Sequence, residues 1–151
     1  MPNEELLVEI LECQHDTKVG HITLNSPETL NSLTMNMVNK ISNLLDDWEV
    51  DPQIKMVLLS GAGEKAFCAG GDIRALYESM CSPEGPVFAE SFFESEYRLD
   101  YKLHNFSKPI ISLLDGIVMG GGAGLMFGSS YKIATERTKF AMPEIGVGLF
   151  P

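Results

Sequence analysis

Cysteine, histidine and positive charge are all scarce in this sequence. The three cysteines, Cys13, Cys68 and Cys81, form no CxxC pair and leave an odd count among 151 residues, which speaks against both a disulfide framework and a thiolate zinc site. The three histidines, His15, His21 and His104, have no HExxH spacing, and each reads as a surface or loop residue rather than a ligand. Eleven basic residues stand against twenty-one acidic ones, a formal net charge of -10. That sign repels phosphate backbones and argues against a general nucleic-acid binder. Long hydrophobic runs are missing as well. Although 44% of the residues are hydrophobic, no stretch approaches the roughly 20 apolar residues of a membrane span. The start, MPNEELLVEI, has neither the basic n-region of a secretory signal nor the arginine-rich character of a transit peptide. The expectation is one soluble globular core in the cytoplasm, or in the mitochondrial matrix if the chain is a processed eukaryotic protein.

What is present is a regular succession of short elements. Leu6 to Cys13 and Val19 to Leu24 read as two strands of a hairpin around QHDTKVG. Thr34 is placed to cap a helix whose apolar positions Met35, Val38, Ile41, Leu45 and Trp48 recur at helical spacing and stop before Asp51-Pro52. IKMVLLS is a buried strand. Two helices follow, from Asp72 to about Met80 and from about Val87 to His104, separated by the breaker-rich CSPEGP, which is expected to be a mobile loop. KPIISLLDG reads as another buried strand, and SYKIATE and KFAMPE as short extended pieces. The order is β-β-α-β-α-α-β-α-β, without internal sequence repeats or low-complexity segments.

Glycine concentrates where it is costly to order. IKMVLLSGAGEKAFCAGGDIRAL and PIISLLDGIVMGGGAGLMF share one design: a buried strand, then glycines, then a helix start. Such turns present backbone N–H groups at the positive end of a helix, where an anion or a developing oxyanion is stabilised. Either segment alone is explained by tight turns and close packing. Two of them in one small domain point to a paired-donor site. Gly61 to Ala66 also fits the G-x-G-x-x-A dinucleotide fingerprint after a strand. That fingerprint should open directly into a helix, whereas Phe67 to Gly71 postpone the helix to Asp72, so a Rossmann unit is disfavoured.

Together, KAFCAGGDIRAL, PIISLLDGIVMGGGAGL and FAMPEIGVGLFP resemble the crotonase superfamily, the enoyl-CoA hydratase/isomerase fold, and most closely its 3-hydroxyisobutyryl-CoA hydrolase branch. The resemblance covers nearly the whole chain in the family's order. It implies an α/β fold, a spiral of repeated ββα units, with residues 1–151 as an amino-terminal core domain ending before a carboxy-terminal helical part. It implies that the N–H groups of Gly71 and Gly121 bind a thioester oxygen, with Gly70 and Gly120 beside them. Acyl-CoA is then the ligand, CoA enters as part of the substrate, no metal or redox cofactor is required, and the chain is compatible with a homo-oligomer.

The reaction depends on which carboxylates accompany that hole. Hydratases of the superfamily carry a glutamate shortly after the glycine run, and here that position is Gly124; Glu144 in AMPE matches their second glutamate. The hydrolase branch combines glycine at the first position with glutamate in MPE and an aspartate after GLFP, which would follow Pro151. Thioester hydrolysis of a small branched 3-hydroxyacyl-CoA, in valine breakdown, is therefore what the resemblance implies, with Glu144 as nucleophile or general base. An enoyl-CoA hydratase or isomerase, and a non-catalytic acyl-CoA-binding subunit, are the alternatives. By itself Glu144 also reads as a first-turn glutamate after Pro143.

Glu96 gives an independent clue. It falls inside the apolar arc of Phe88, Phe92, Phe93, Leu99 and Leu103 on a helical projection, where a carboxylate is costly and its pKa is expected to rise. It also matches the FFxxEY motif of the hydrolase branch, in which the glutamate contacts substrate. Asp100 projects near the edge of the same arc and reads as structural. Asp72 reads as an N-cap. Lys65 is a candidate contact for a CoA phosphate, with a solvated lysine as the alternative, and Cys68 reads as a packing thiol.

Overall fold

The computed structural model describes residues 4–83 and 85–150. Strands β1 (Leu6–Glu12) and β2 (Lys18–Leu24) form the expected antiparallel hairpin. His15 and Asp16 both take positive φ at its tip, and the Thr17 N–H donates to the Gln14 carbonyl, a turn whose twist suits a hairpin. Helix α1 (Met35–Val50) starts where the sequence places it, with Thr34 Oγ1 accepting from Met37 N–H at 3.1 Å. It buries Met37, Val38, Ile41, Leu45 and Trp48 against the sheet. At its other end Lys108 Nζ donates to the carbonyls of Trp48 and Asp51, groups that the helix itself leaves without donors.

Strand β3 (Ile54–Gly61) is followed by the three-residue β4 (Ala66–Cys68), α2 (Ile73–Met80) and α3 (Gly85–Asn105). Then come β5 (Ile110–Leu114), β6 (Ile117–Met119) and α4 (Gly121–Gly128), and finally β7 (Tyr131–Ala134) and β8 (Lys139–Ala141). The strands sort into two sheets, one in the order β1-β2-β3-β5-β7 and one in the order β4-β6-β8. From β3 onward each repeat gives one strand to the large sheet and the next to the small sheet, with parallel pairing in both. This is the spiral of ββα units that the resemblance implied.

Strands β4 and β6 are not foreseen from the sequence, since each has only three residues, too few for an alternation to register. Helix α3 starts two residues earlier than expected. Gly85 and Pro86 of CSPEGP therefore belong to α3, so only the first part of that segment separates the helices, and its expected mobility falls on Glu84, which lies outside the described residues. The core lies between one face of the large sheet and α1 and α3, and α3 also packs against α2 and α4. No helix among the described residues is long and apolar enough to cross a membrane.

Candidate active site

Two strand-to-helix turns meet at the small sheet. After β4 the chain runs through Ala69, Gly70 and Gly71 into α2, capped by Asp72, whose side chain accepts from Ala75 N–H at 3.0 Å. A short parallel bridge to Leu33 holds this turn, with Leu33 N–H donating to the Gly70 carbonyl at 2.7 Å and Asp72 N–H to the Leu33 carbonyl at 2.9 Å. Because residues 70 and 72 direct their bonding groups at Leu33, the N–H of Gly71 points away from it. The second turn leaves β6 through Gly120 and enters α4 at Gly121, whose N–H belongs to a first helical turn and has no acceptor within the helix. Gly70 (φ +113°) and Gly120 (φ +51°) hold conformations that L side chains rarely adopt.

The two turns abut. A Cβ added to Gly70 would lie 3.3 Å from the Met119 carbonyl oxygen and 3.5 Å from the Gly121 nitrogen. Among the described residues neither the Gly71 nor the Gly121 N–H donates to a protein acceptor. Both glycines line a cavity of about 480 Å³, together with Gly70, Gly120, Glu96 and Glu144. The rest of its wall is mainly apolar, from Leu76, Phe93, Met142 and Leu149.

Three carboxyl groups reach this cavity. Glu144 opens a 3-10 turn, Glu144–Val147, and its Oε1 lies 3.3 Å from where a Cβ on Gly120 would be. Glu96 projects from α3 among Phe92, Leu99 and Leu103, is only 5% exposed, and has its Oε1 so close to Gly121 that a Cβ there would overlap it. Asp100 follows one turn later on α3 and lies against Gly124. Among the described residues Glu96 Oε1, Asp100 Oδ1 and Glu144 Oε2 are buried and find no hydrogen-bond partner. No lysine, arginine or histidine among the described residues lines the cavity, so positive potential there comes from backbone N–H groups and helix starts. No group of three or more His, Cys, Asp or Glu side chains among the described residues is disposed to hold a metal ion.

Burial, then the neighbouring Asp100 and Glu144, pushes the Glu96 carboxyl up from 4.5 to about 7. Burial alone pushes Asp100 up from 3.8 to about 7. Both therefore hold a proton more tightly in the folded chain than in the unfolded one. Stability from this pair is complete below their ordinary carboxylate range and is lost as pH rises through about 7. The other titratable groups around them are Glu144, Tyr97 and the Cys68 thiol. Asp115, held down to about 2 by hydrogen bonds from Arg137 and Thr135, has the opposite sign but acts in a lower window. The thermal midpoint should fall between about pH 5 and pH 8, and Glu96→Gln with Asp100→Asn should remove most of that fall. A wild-type midpoint that is level across this range would contradict the placement of both carboxyls.

The structure thus brings Gly70, Gly71, Gly120, Gly121, Glu96 and Glu144 to one cavity. Lys65 lies in the loop before β4 and does not line this cavity. Asp100 is a correction, since it faces the cavity instead of serving as a structural edge residue. Its spacing of four residues from Glu96 was the available signal. His21 belongs to β2 rather than to a loop, with Nε2 2.8 Å from Ser60 Oγ. Cys68 is fully buried and its thiol is pushed up to about 12, chiefly by desolvation, which suits the packing role. The G-x-G-x-x-A segment leads into β4 and not into a helix, which removes the dinucleotide reading.

The family model for enoyl-CoA hydratase/isomerase matches residues 19–151. The mitochondrial 3-hydroxyisobutyryl-CoA hydrolase of Danio rerio is 48% identical over 134 residues, 89% of this chain and 35% of that protein. Its counterpart in Homo sapiens is 45% identical over 148 residues, 98% of this chain and 36% of that protein. The chain thus spans about a third of the length of the curated relatives it matches. Among solved structures, a carnitinyl-CoA dehydratase from Mycobacterium thermoresistibile superposes with a TM-score of 0.90 at 43% identity, covering 99% of this chain and 42% of that one. An enoyl-CoA hydratase from Rhodobacter sphaeroides gives 0.87 at 36% identity, covering 98% and 42%. With the spiral of ββα units, the paired glycine turns and a family match over residues 19–151, the chain belongs to the enoyl-CoA hydratase/isomerase family.

Proposed function

We propose that the protein hydrolyses the thioester of a small acyl-CoA, with 3-hydroxyisobutyryl-CoA as the preferred substrate and valine breakdown as the setting. The observation that carries this reading is the convergence of two unbonded backbone N–H groups, those of Gly71 and Gly121, on the cavity that holds the Glu144 carboxylate. Preorganised N–H donors stabilise an oxyanion without reorganising during the reaction. The names of the curated relatives support the hydrolytic choice and a mitochondrial location.

In this reading the thioester oxygen accepts from Gly71 and Gly121, and Glu144 either attacks the carbonyl carbon or takes a proton from an attacking water. On both routes the C–S bond breaks, the sulfur leaves with its electron pair and is protonated, and one water is consumed for each thiol released. Glu96 orients Glu144 or the substrate. CoA comes with the substrate, and no further cofactor is invoked.

A second reading has one specific observation behind it. Asp100 stands over Gly124, where the family's hydratases have a glutamate, so Asp100 and Glu144 could together add water to a double bond. Assays on the whole protein separate the two. Hydrolysis releases free thiol from 3-hydroxyisobutyryl-CoA, whereas hydration consumes the conjugated absorbance of an enoyl-CoA and leaves the thioester intact. Thiol release is the expected result. Tight acyl-CoA binding without turnover of any thioester would overturn both.

A further inference from the structure

Helix α4 works as a ruler along the cavity. Gly121, Gly124 and Phe127 line it in succession, three residues apart, and each step is about 4.5 Å along the helix axis at 1.5 Å per residue. Helix α3 lays its carboxyls against this scale, Glu96 over Gly121 and Asp100 over Gly124. A Cβ on Gly124 would lie 2.5 Å from Asp100 Oδ2 and 2.7 Å from Oδ1, so the glycine leaves the space that the Asp100 carboxyl fills. A thioester oxygen bound at Gly121 puts the carbonyl carbon at the start of the ruler. Asp100 then stands one step, about 4.5 Å, farther along the helix axis.

The chemistry at that step is unusual for an acyl pocket. Among the described residues Asp100 Oδ1 and Glu96 Oε1 are both buried without a partner, and the Glu96 side chain is almost wholly enclosed. A buried polar group is costly when unpaired, and a ligand that bonds to it gains accordingly. No cationic side chain among the described residues lines the cavity, so an acyl group ending in a carboxylate is repelled. A hydroxyl can donate to a carboxylate or exchange bonds with a carboxylic acid, and it suits the site in either protonation state.

We propose that Asp100 is a specificity-determining residue that hydrogen-bonds a hydroxyl on the third carbon of the acyl group. The proposal rests on the reading that Gly71 and Gly121 bind the thioester oxygen. Within these residues it assigns to Asp100 the selection of hydroxylated over plain acyl chains.

The test compares 3-hydroxyisobutyryl-CoA with isobutyryl-CoA, which differ only by that hydroxyl, on the whole protein. Binding is measured by calorimetry and kcat/KM by thiol release, for wild type, Asp100→Leu and Asp100→Asn. Leucine removes a buried unpaired carboxyl and suits an apolar wall, so folding should survive; the asparagine variant keeps the shape as well as a donor and an acceptor. Wild type should favour the hydroxylated thioester by about 10- to 100-fold. Asp100→Leu should bring the ratio close to unity, and Asp100→Asn should retain most of it. A wild type without preference, or a ratio unchanged in Asp100→Leu, overturns the proposal. Hydrolysis with an unchanged ratio sinks Asp100 alone, whereas an Asp100-dependent binding preference without thiol release sinks the hydrolase reading and upholds Asp100.

Discussion

Glu144→Gln in the whole protein is expected to bind acyl-CoA nearly as wild type does and to release thiol about 1000-fold more slowly, within the range that a lost general base or nucleophile produces. The separation follows from where the contacts lie. Binding draws on the glycine turns and the apolar wall of the cavity, none of which changes, while the attack on the carbonyl needs the charge or basicity that an amide lacks. Glutamine keeps the size of the side chain beside Gly120, where Glu144 Oε1 sits 3.3 Å from a Cβ position. The measurement is thiol release against a no-enzyme control, paired with calorimetric titration of the substrate. Thiol release at more than about a tenth of the wild-type rate would place the decisive carboxylate elsewhere.

Gly121→Ala should lower turnover by about 100- to 1000-fold, the cost of losing one preorganised oxyanion donor. The added methyl would overlap Glu96 Oε1 and lie 3.2 Å from Leu33 Cδ1. The glutamate has to swing away, or α4 has to shift and carry the Gly121 N–H with it. A double-mutant cycle with Glu96→Ala distinguishes these outcomes. If displacement of Glu96 is the whole effect, the second substitution adds nothing. If the donor itself moves to escape the glutamate, Gly121→Ala loses more than Glu96→Ala does, and removing the glutamate restores turnover toward the Glu96→Ala level. Near-normal turnover of Gly121→Ala would remove Gly121 from the oxyanion site.

Long elements were legible before any coordinates. Helix α1 carries its apolar stripe, its Thr34 cap and its Asp51-Pro52 stop in the sequence, and the structure reproduces all three. The burial of Glu96 could be read from its place in the arc of Phe92, Leu99 and Leu103, because a helix of this length has one face for the core. The short strands β4 and β6 could not be read, since three residues carry no period and their pairing is supplied by distant partners.

What the sequence determined by itself was a set of local choices: glycines where strand passes to helix, an aspartate to cap α2, a glutamate on an apolar face, and the motifs that mark the family. Only the tertiary structure decided which of these meet. The abutting of the Gly70 and Gly120 turns depends on β4 and β6 lying side by side, a non-local pairing. The same packing of α3 on α4 turned Asp100 toward the cavity over Gly124, while the path into the small sheet left Lys65 outside it. A helical projection gives the direction of a side chain, but its partner is fixed by where the next helix lies, and here that helix presents glycine.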